Sequence, residues 1–159
     1  MNREASAPLR SPPVTGTSVS PSPISHESRR LAGVLLVVFP AVIYGGVSIL
    51  TLLVGNPEYG ANDLRQDLWR AGHAHAGVLL VLSLIALRYV DEAKLSEGWK
   101  SLVRHAIPAA AILLPAAFFL SILDPEATEP NGLIYLAYAG AVVLAAGLVV
   151  LGVGLIRRR

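Results

Sequence analysis

The chain alternates between long apolar runs and short polar segments, and the charged residues lie between the runs or at their extreme ends. Four runs are long enough for an α-helix, which rises about 1.5 Å per residue, to cross roughly 30 Å of hydrocarbon. The pattern predicts membrane-spanning helices at residues 31–54, 73–90, 102–123 and 133–156. The second helix could begin earlier, around Leu64, with its first part at the membrane interface. The predicted fold class is all-α: an integral membrane four-helix bundle formed by residues 29–159.

Residues 1–28 have a different pattern, rich in proline, serine and threonine and nearly without large apolar side chains. Such a segment cannot bury enough apolar surface to offset the entropy lost when it is ordered. It also lacks the apolar centre of a secretory signal peptide. We therefore expect a disordered N-terminal tail.

The fourth apolar run carries small residues at helical spacings. Glycines recur every seven residues and alanines every four, and both spacings align side chains on one helix face. Close packing of helices in lipid favours such a ridge. The ridge predicts association of the chain with itself or with a partner, although it could equally serve packing within the bundle. Its members are Gly140, Gly147, Gly154, Ala137, Ala141 and Ala145.

Composition agrees with a membrane protein. Hydrophobic residues make up 53% of the chain and charged residues only 15%, which is too apolar for a water-soluble domain of 159 residues. The net charge of +2 does not indicate a nucleic-acid partner, because the basic residues flank the apolar runs. Cysteine is absent, which excludes disulfides, thiolate metal sites and thiol catalysis.

The basic residues also predict an orientation. With both termini on the inner side, the outer loops hold only Arg65 and Arg70, and the inner segments hold the other eleven of the thirteen basic residues. Under the positive-inside rule this asymmetry predicts a multi-pass protein of the cytoplasmic membrane with cytoplasmic termini. The inner basic residues are Arg3, Arg10, Arg29, Arg30, Arg88, Lys94, Lys100, Arg104, Arg157, Arg158 and Arg159.

Candidate chemistry is concentrated at His73 and His75, where a polar loop becomes an apolar helix near the predicted outer face. Residues two apart on a helix point to nearly opposite sides, so the pair does not easily clamp one metal ion. It could serve two sites, or one site and one hydrogen bond. Neutral imidazole is a good ligand for haem iron, copper or zinc. In the alternative interpretation, both histidines cap the helix, bond across helices or face lipid headgroups.

The segment His73-Ala74-His75-Ala76-Gly77 resembles the H-x-H-x-G segment in the catalytic subunit of haem-copper oxidases and nitric oxide reductases. The resemblance implies two different haems, with His73 at the high-spin type of site and His75 at the low-spin type. That family has many more helices and further histidine ligands. Here His26 falls in the predicted tail and His105 at the opposite end of the third span. The resemblance therefore does not imply oxidase activity for this chain alone.

A ligand site at the histidines would need further donors from a second subunit or from carboxylates. The candidate acids are Glu58, Asp63, Asp67, Asp124, Glu126 and Glu129. Taken singly, we interpret these acids as solvated loop charges. Tyr44, Tyr135 and Tyr138 are interpreted as packing or interfacial residues rather than ligands.

The sequence contains no catalytic motif, and we assign no catalytic residue. The leading interpretation is a non-catalytic subunit or small membrane factor, in contact with the lipid bilayer and forming a homo-oligomer or part of a larger membrane complex. The alternative is a haem- or copper-binding redox membrane protein that uses His73 and His75. A small-molecule transporter ranks third, because the spans lack ionisable groups at depth.

Overall fold

The computed structural model describes residues 24–157, and this part of the chain contains no β-strand. Its helices are α1 (His26–Gly55), α2 (Pro57–Ala61), α3 (Asp63–Tyr89), α4 (Glu97–Leu120) and α5 (Leu136–Ile156), with a 3-10 turn (Gly132–Tyr135) leading into α5. Four segments are long and apolar enough to cross a membrane: α1, α3, α4 and the turn joined to α5. The chain is therefore a multi-pass membrane protein, and the predicted all-α four-helix bundle is confirmed.

Three helices, α1, α3 and α4, begin before the spans that the apolar pattern predicts. Asn62 caps α3, since its side-chain oxygen accepts a hydrogen bond from the Arg65 backbone N–H at 3.0 Å. The charged residues after Asn62 are therefore helical, and α3 begins at Asp63, before the predicted span at residue 73 and next to the earlier start at Leu64 that the sequence also allowed. α4 runs over Glu97–Leu120 rather than 102–123. Hydrophobicity marks the part of α3 that lipid covers, whereas the hydrogen bond at its cap decides where the helix begins. The cap residue of α4, Ser96, makes no such side-chain hydrogen bond.

α1 begins inside the predicted tail. Its first turn contains His26, Glu27 and Ser28, and the Ser25 hydroxyl oxygen caps it by accepting a hydrogen bond from the Ser28 N–H at 3.2 Å. Ser28 is buried. The helix thus extends into the last three tail residues, because polar contacts rather than apolar side chains order this turn. Residues 1–23 of the predicted tail lie outside the described residues.

α4 packs against both α3 and α5, while α1 packs on α3 at the edge of the bundle. Two groups of buried apolar side chains join the inner three helices. The first group is centred on Ala86, Val90, Val103, Ile107 and Leu151, and the second on Leu79, Ala110 and Leu114.

The glycines of the predicted ridge on α5 are Gly140, Gly147 and Gly154, and all three are buried. A methyl group at Gly147 would lie 3.0 Å from Cγ1 of Ile107 on α4, and one at Gly154 would lie 2.6 Å from Cγ of Leu95. The glycines therefore serve packing within the bundle. Ala141 and Ala145, by contrast, are exposed on the outer side of α5.

Hydrogen bonds between connecting segments define the two ends of the bundle. At the end that holds residues 24 and 157, the Lys94 N–H donates to the Gly154 carbonyl at 2.8 Å. At the opposite end, the Asn62 amide donates to the Pro125 and Ala127 carbonyls at 2.8 and 3.1 Å. We call these the termini end and the loop end. That the termini end faces the cytoplasm stays a prediction.

Candidate functional site

His73 and His75 lie on α3 and face different neighbours. His73 packs against α1 at Gly45 and Gly46, whereas the His75 ring lies beside Phe118 of α4, with ring centroids 5.1 Å apart. The helix is unbroken here, so the two-residue spacing separates the rings as helical geometry requires. The two histidines therefore do not form one site.

His73 fills the space left by a glycine pair. A methyl group at Gly46 would lie 2.8 Å from Nε2 of His73, so only glycine allows α1 to approach the ring this closely. Among residues 24–157 the half-buried His73 ring has no hydrogen-bond partner. It borders an apolar groove of about 410 Å³ between α1 and α3. The other lining residues are Phe39, Val42, Ala74, Gly77, Val78 and Val81.

His75 is exposed and oriented by its own helix. Its Nδ1 lies 2.7 Å from the Ala71 carbonyl oxygen, which can only accept a hydrogen bond, so Nδ1 carries the proton that is donated. Nε2 of the neutral ring then holds the lone pair that a metal ion would take. Metal-ligating histidines are commonly held in this way, with the second ring nitrogen bonded to a carbonyl.

The candidate acids do not complete a metal site with either histidine. Within residues 24–157 no group of three His, Cys, Asp or Glu side chains is arranged to hold a metal ion. Asp67 pairs instead with Arg70 at 3.0 Å. Glu58, Asp124 and Glu126 border a common opening at the loop end. Asp63 and Glu129 are exposed. The tyrosines Tyr44, Tyr135 and Tyr138 are all at least 69% exposed.

A buried ion-pair network at the termini end was missed by sequence reasoning. Arg104, only 4% exposed, bonds Asp91 at 2.6 Å and Glu27 at 2.9 Å, and its Nε donates to the Ser28 hydroxyl at 3.1 Å. The Ser25 N–H donates to the other Asp91 oxygen at 2.9 Å. The network joins the start of α1 to α4 and to the segment after α3. The sequence did contain a signal for it in the segment Ser25 to Ser28. There a serine that can cap a helix is followed by an acidic residue, within a flank that is otherwise basic.

The network controls the ionisation of Asp91. Burial raises the pKa of this carboxyl, but hydrogen bonds from Arg104, Ser25 and Ser28 outweigh that effect and hold the pKa below its usual value. Asp91 is therefore charged at neutral pH and neutralises the buried guanidinium. In the described structure Asp91 links the start of α1 to α4, because it bonds both Ser25 and Arg104.

A second cluster, also missed by sequence reasoning, lies at the loop end, where the helices leave their apolar part. Tyr59 of α2 is 1% exposed, and its ring stacks obliquely on Trp69 with centroids 5.6 Å apart. The Arg65 guanidinium carbon lies 4.5 Å from the centre of the Trp69 ring, a cation–π contact. Burial raises the pKa of Tyr59 despite the opposing charges of Arg70 and Arg65, so the phenol stays protonated.

Comparison of the chain with protein-family models, with curated proteins and with solved structures gives no match. The fold does not by itself identify a function, because four-helix bundles support many unrelated activities. The functional conclusion must therefore come from the geometry of the described residues.

Proposed function

We propose that the chain is a non-catalytic membrane subunit that assembles with a second copy of itself through the exposed face of α1. The single observation that carries the proposal is the position of Tyr44: its hydroxyl is exposed near the middle of α1 with no partner among residues 24–157.

α1 is attached to the bundle on one side only. Beyond its first turn, which bonds Arg104 of α4, its main neighbours are α3 and the short α2, and none of the residues in its apolar 18-residue window is buried. Val37, Tyr44 and Val54 are 74% to 81% exposed. Lipid alone can cover the apolar side chains, but its hydrocarbon chains offer no hydrogen-bond partner to the Tyr44 hydroxyl.

Tyr44 lies eleven residues before the end of α1 at Gly55, about 16 Å along the helix axis. That depth is near the centre of a hydrocarbon layer about 30 Å thick. Moving an unpaired hydroxyl into a medium without hydrogen bonds costs roughly 4 to 8 kcal/mol. Ser48 and Thr51 avoid this cost by donating to α1 carbonyls at 2.9 Å, whereas Tyr44 makes no such bond.

A second copy supplies the missing partner with no further assumption about chemistry. A hydroxyl both donates and accepts, so two Tyr44 side chains related by a twofold axis along the membrane normal can bond to each other. Both copies then keep the same orientation in the membrane. Val37 lies seven residues before Tyr44 and therefore on the same side of α1.

The absence of cysteine allows a direct crosslinking test in membranes. Val37→Cys and Ala41→Cys place single thiols beside Tyr44 on the proposed interface and keep its hydroxyl, and Val149→Cys places one on the exposed side of α5. We expect mild oxidation to give a covalent dimer for the α1 variants and not for Val149→Cys, since a disulfide needs Cα atoms within about 7 Å.

Adding Tyr44→Phe to Val37→Cys distinguishes the contribution of the Tyr44 hydroxyl to dimer formation from that of the rest of the helix surface. The double variant keeps the shape of the side chain and should give several-fold less dimer, because the bond in lipid is lost. Equal, low crosslinking at all three thiol positions in folded protein would contradict the proposal. An equal yield of crosslinked dimer from Val37→Cys with and without Tyr44→Phe would also contradict it.

The second candidate function is binding of a haem or copper ion, and the observation that favours it is the free Nε2 of exposed His75. The described residues offer one oriented imidazole and no full ligand set, so a second ligand would come from another chain. Haem titration of the purified protein, read by the Soret band, tests this candidate. His75→Ala should abolish the band and His73→Ala should leave it, because the two rings face different helices.

A further inference from the structure

Three buried polar atoms among residues 24–157 have no hydrogen-bond partner, and all three belong to the cluster at the loop end. They are the Tyr59 hydroxyl, the Arg65 Nε and the Trp69 Nε1. Buried polar groups in folded proteins are nearly always paired, so each exception calls for an explanation. Three exceptions in one place indicate a common missing partner.

The chemistry of the missing partner follows from the three atoms. Arg Nε and Trp Nε1 can only donate, and the protonated Tyr59 phenol donates readily. The partner must therefore offer several acceptor oxygens. Among residues 24–157 no side chain supplies them, since none forms a hydrogen bond with any of the three atoms.

The charge of the missing partner follows from Arg65. Within residues 24–157 its guanidinium contacts the Trp69 ring but forms no ion pair with a carboxylate. Arg65 and Trp69 are half-buried and reach the protein surface, whereas the three unpaired atoms are themselves buried, so a ligand contacts them only once the surrounding side chains move aside. The cluster also precedes the apolar part of α3, at the depth of the membrane interface. Arginine beside an aromatic ring at this depth suits a planar or tetrahedral oxyanion.

We infer that Tyr59, Arg65 and Trp69 form a binding site for a phosphate group, supplied either by a phospholipid headgroup or by free phosphate. Arg65 provides the charge, and the Tyr59 hydroxyl and Trp69 indole N–H provide directional hydrogen bonds. The site is separate from the α1 surface of the proposed function, and neither requires the other.

Trp69 provides the measurement, because the chain has only one other tryptophan, Trp99. In a Trp99→Phe background, delipidated protein in a phosphorus-free glycoside detergent is titrated with inorganic phosphate. A parallel titration uses short-chain phosphatidylglycerol, with the matching diacylglycerol as the phosphate-free comparison. We expect the Trp69 emission to change with a phosphate-bearing ligand and not with diacylglycerol.

Two variants and a matched control test the assignment of residues. Arg65→Gln should weaken binding by about tenfold or more, since hydrogen bonds to charged groups are strong. Arg30→Gln removes the same charge at the termini end and should leave binding unchanged. Tyr59→Phe should weaken binding several-fold and yet raise the melting temperature of the ligand-free protein, because it removes an unpaired buried hydroxyl.

Every outcome of the titrations is informative. A response to inorganic phosphate supports the site and shows that free phosphate suffices. A response to phosphatidylglycerol alone supports it with a lipid headgroup as the ligand. No response to either, or equal responses in Arg65→Gln and the parent, would overturn the inference and leave buried water as the partner of the three atoms.

Discussion

At the scale of single residues, polar contacts decide features that hydrophobicity cannot. Arg104 lies seven residues inside α4, yet it is buried because Asp91 and Glu27 neutralise it. A buried charge that loses its partner is strongly destabilising, whereas the intact pair contributes little beyond an apolar contact. The network therefore adds little net stability. Its main effect is to disfavour any arrangement of α1 that would leave Arg104 without its partners.

The lowered pKa of Asp91 predicts a pH dependence of folding. A carboxyl with a pKa lower in the folded than in the unfolded protein stabilises the fold above its unfolded value, about 3.9, and loses that contribution as the pH falls through the folded pKa. The melting temperature in detergent should therefore decrease when the pH is lowered below about 4. Asp91→Asn should show a smaller pH dependence and cost about 3 kcal/mol at pH 7.

Glu92→Gln is the matched control for Asp91→Asn. Glu92 is the next residue and pairs with Arg88 at the surface, where an ion pair contributes little. The melting curve of the Glu92→Gln variant should follow that of the parent protein at every pH. Equal behaviour of the two variants would show that the Arg104 network does not control the acid unfolding.

At the scale of helices, α5 is held by shape rather than by polarity. Its three buried glycines let the helix approach α4 and the segment before it so closely that backbone and side chains are in direct contact. In lipid such close contact replaces the hydrophobic driving force that packs helices in water. The exposed alanines, Ala141 and Ala145, leave the other side of the helix to lipid.

A substitution at Gly147 should destabilise the bundle, while one at Gly152 should not. Gly147→Val forces atoms against Ile107 and should cost about 2 kcal/mol, as overpacking usually does. Gly152 has no atom within 4 Å of an added methyl group, so Gly152→Val on the same helix is the control. Thermal unfolding in detergent measures both. A larger loss for Gly152→Val would mean that α5 packs differently from the described arrangement.

At the scale of the whole molecule, each end of the bundle has its own chemistry. The termini end holds the buried Arg104 network, and the loop end holds the acidic loop and the Tyr59–Arg65–Trp69 cluster, while His73 and His75 lie near the middle of α3. The helices that join the two ends carry an apolar surface that extends over the length of a membrane.

The predicted orientation can be tested with single cysteines on the two ends. Arg30→Cys lies at the termini end and Glu126→Cys at the loop end, and both positions are exposed. A membrane-impermeant maleimide added outside intact cells should label Glu126→Cys and spare Arg30→Cys, as the positive-inside rule requires. Labelling of Arg30→Cys alone would reverse the orientation. Labelling of both in intact cells would contradict the four-span topology.

The sequence by itself determined that the chain is an all-α, four-span membrane protein, because long apolar runs in lipid have few structures available. It also determined that His73 and His75 face opposite sides, since helical periodicity is local. Only the tertiary structure decided what those rings contact, and that the glycine ridge packs inward. It also brought Arg104 to Asp91 and α1, and left Tyr59, Arg65 and Trp69 with unpaired atoms. The contacts of the rings, the glycines and Arg104 join residues distant in sequence, and the unpaired atoms result from burial; local patterns specify neither.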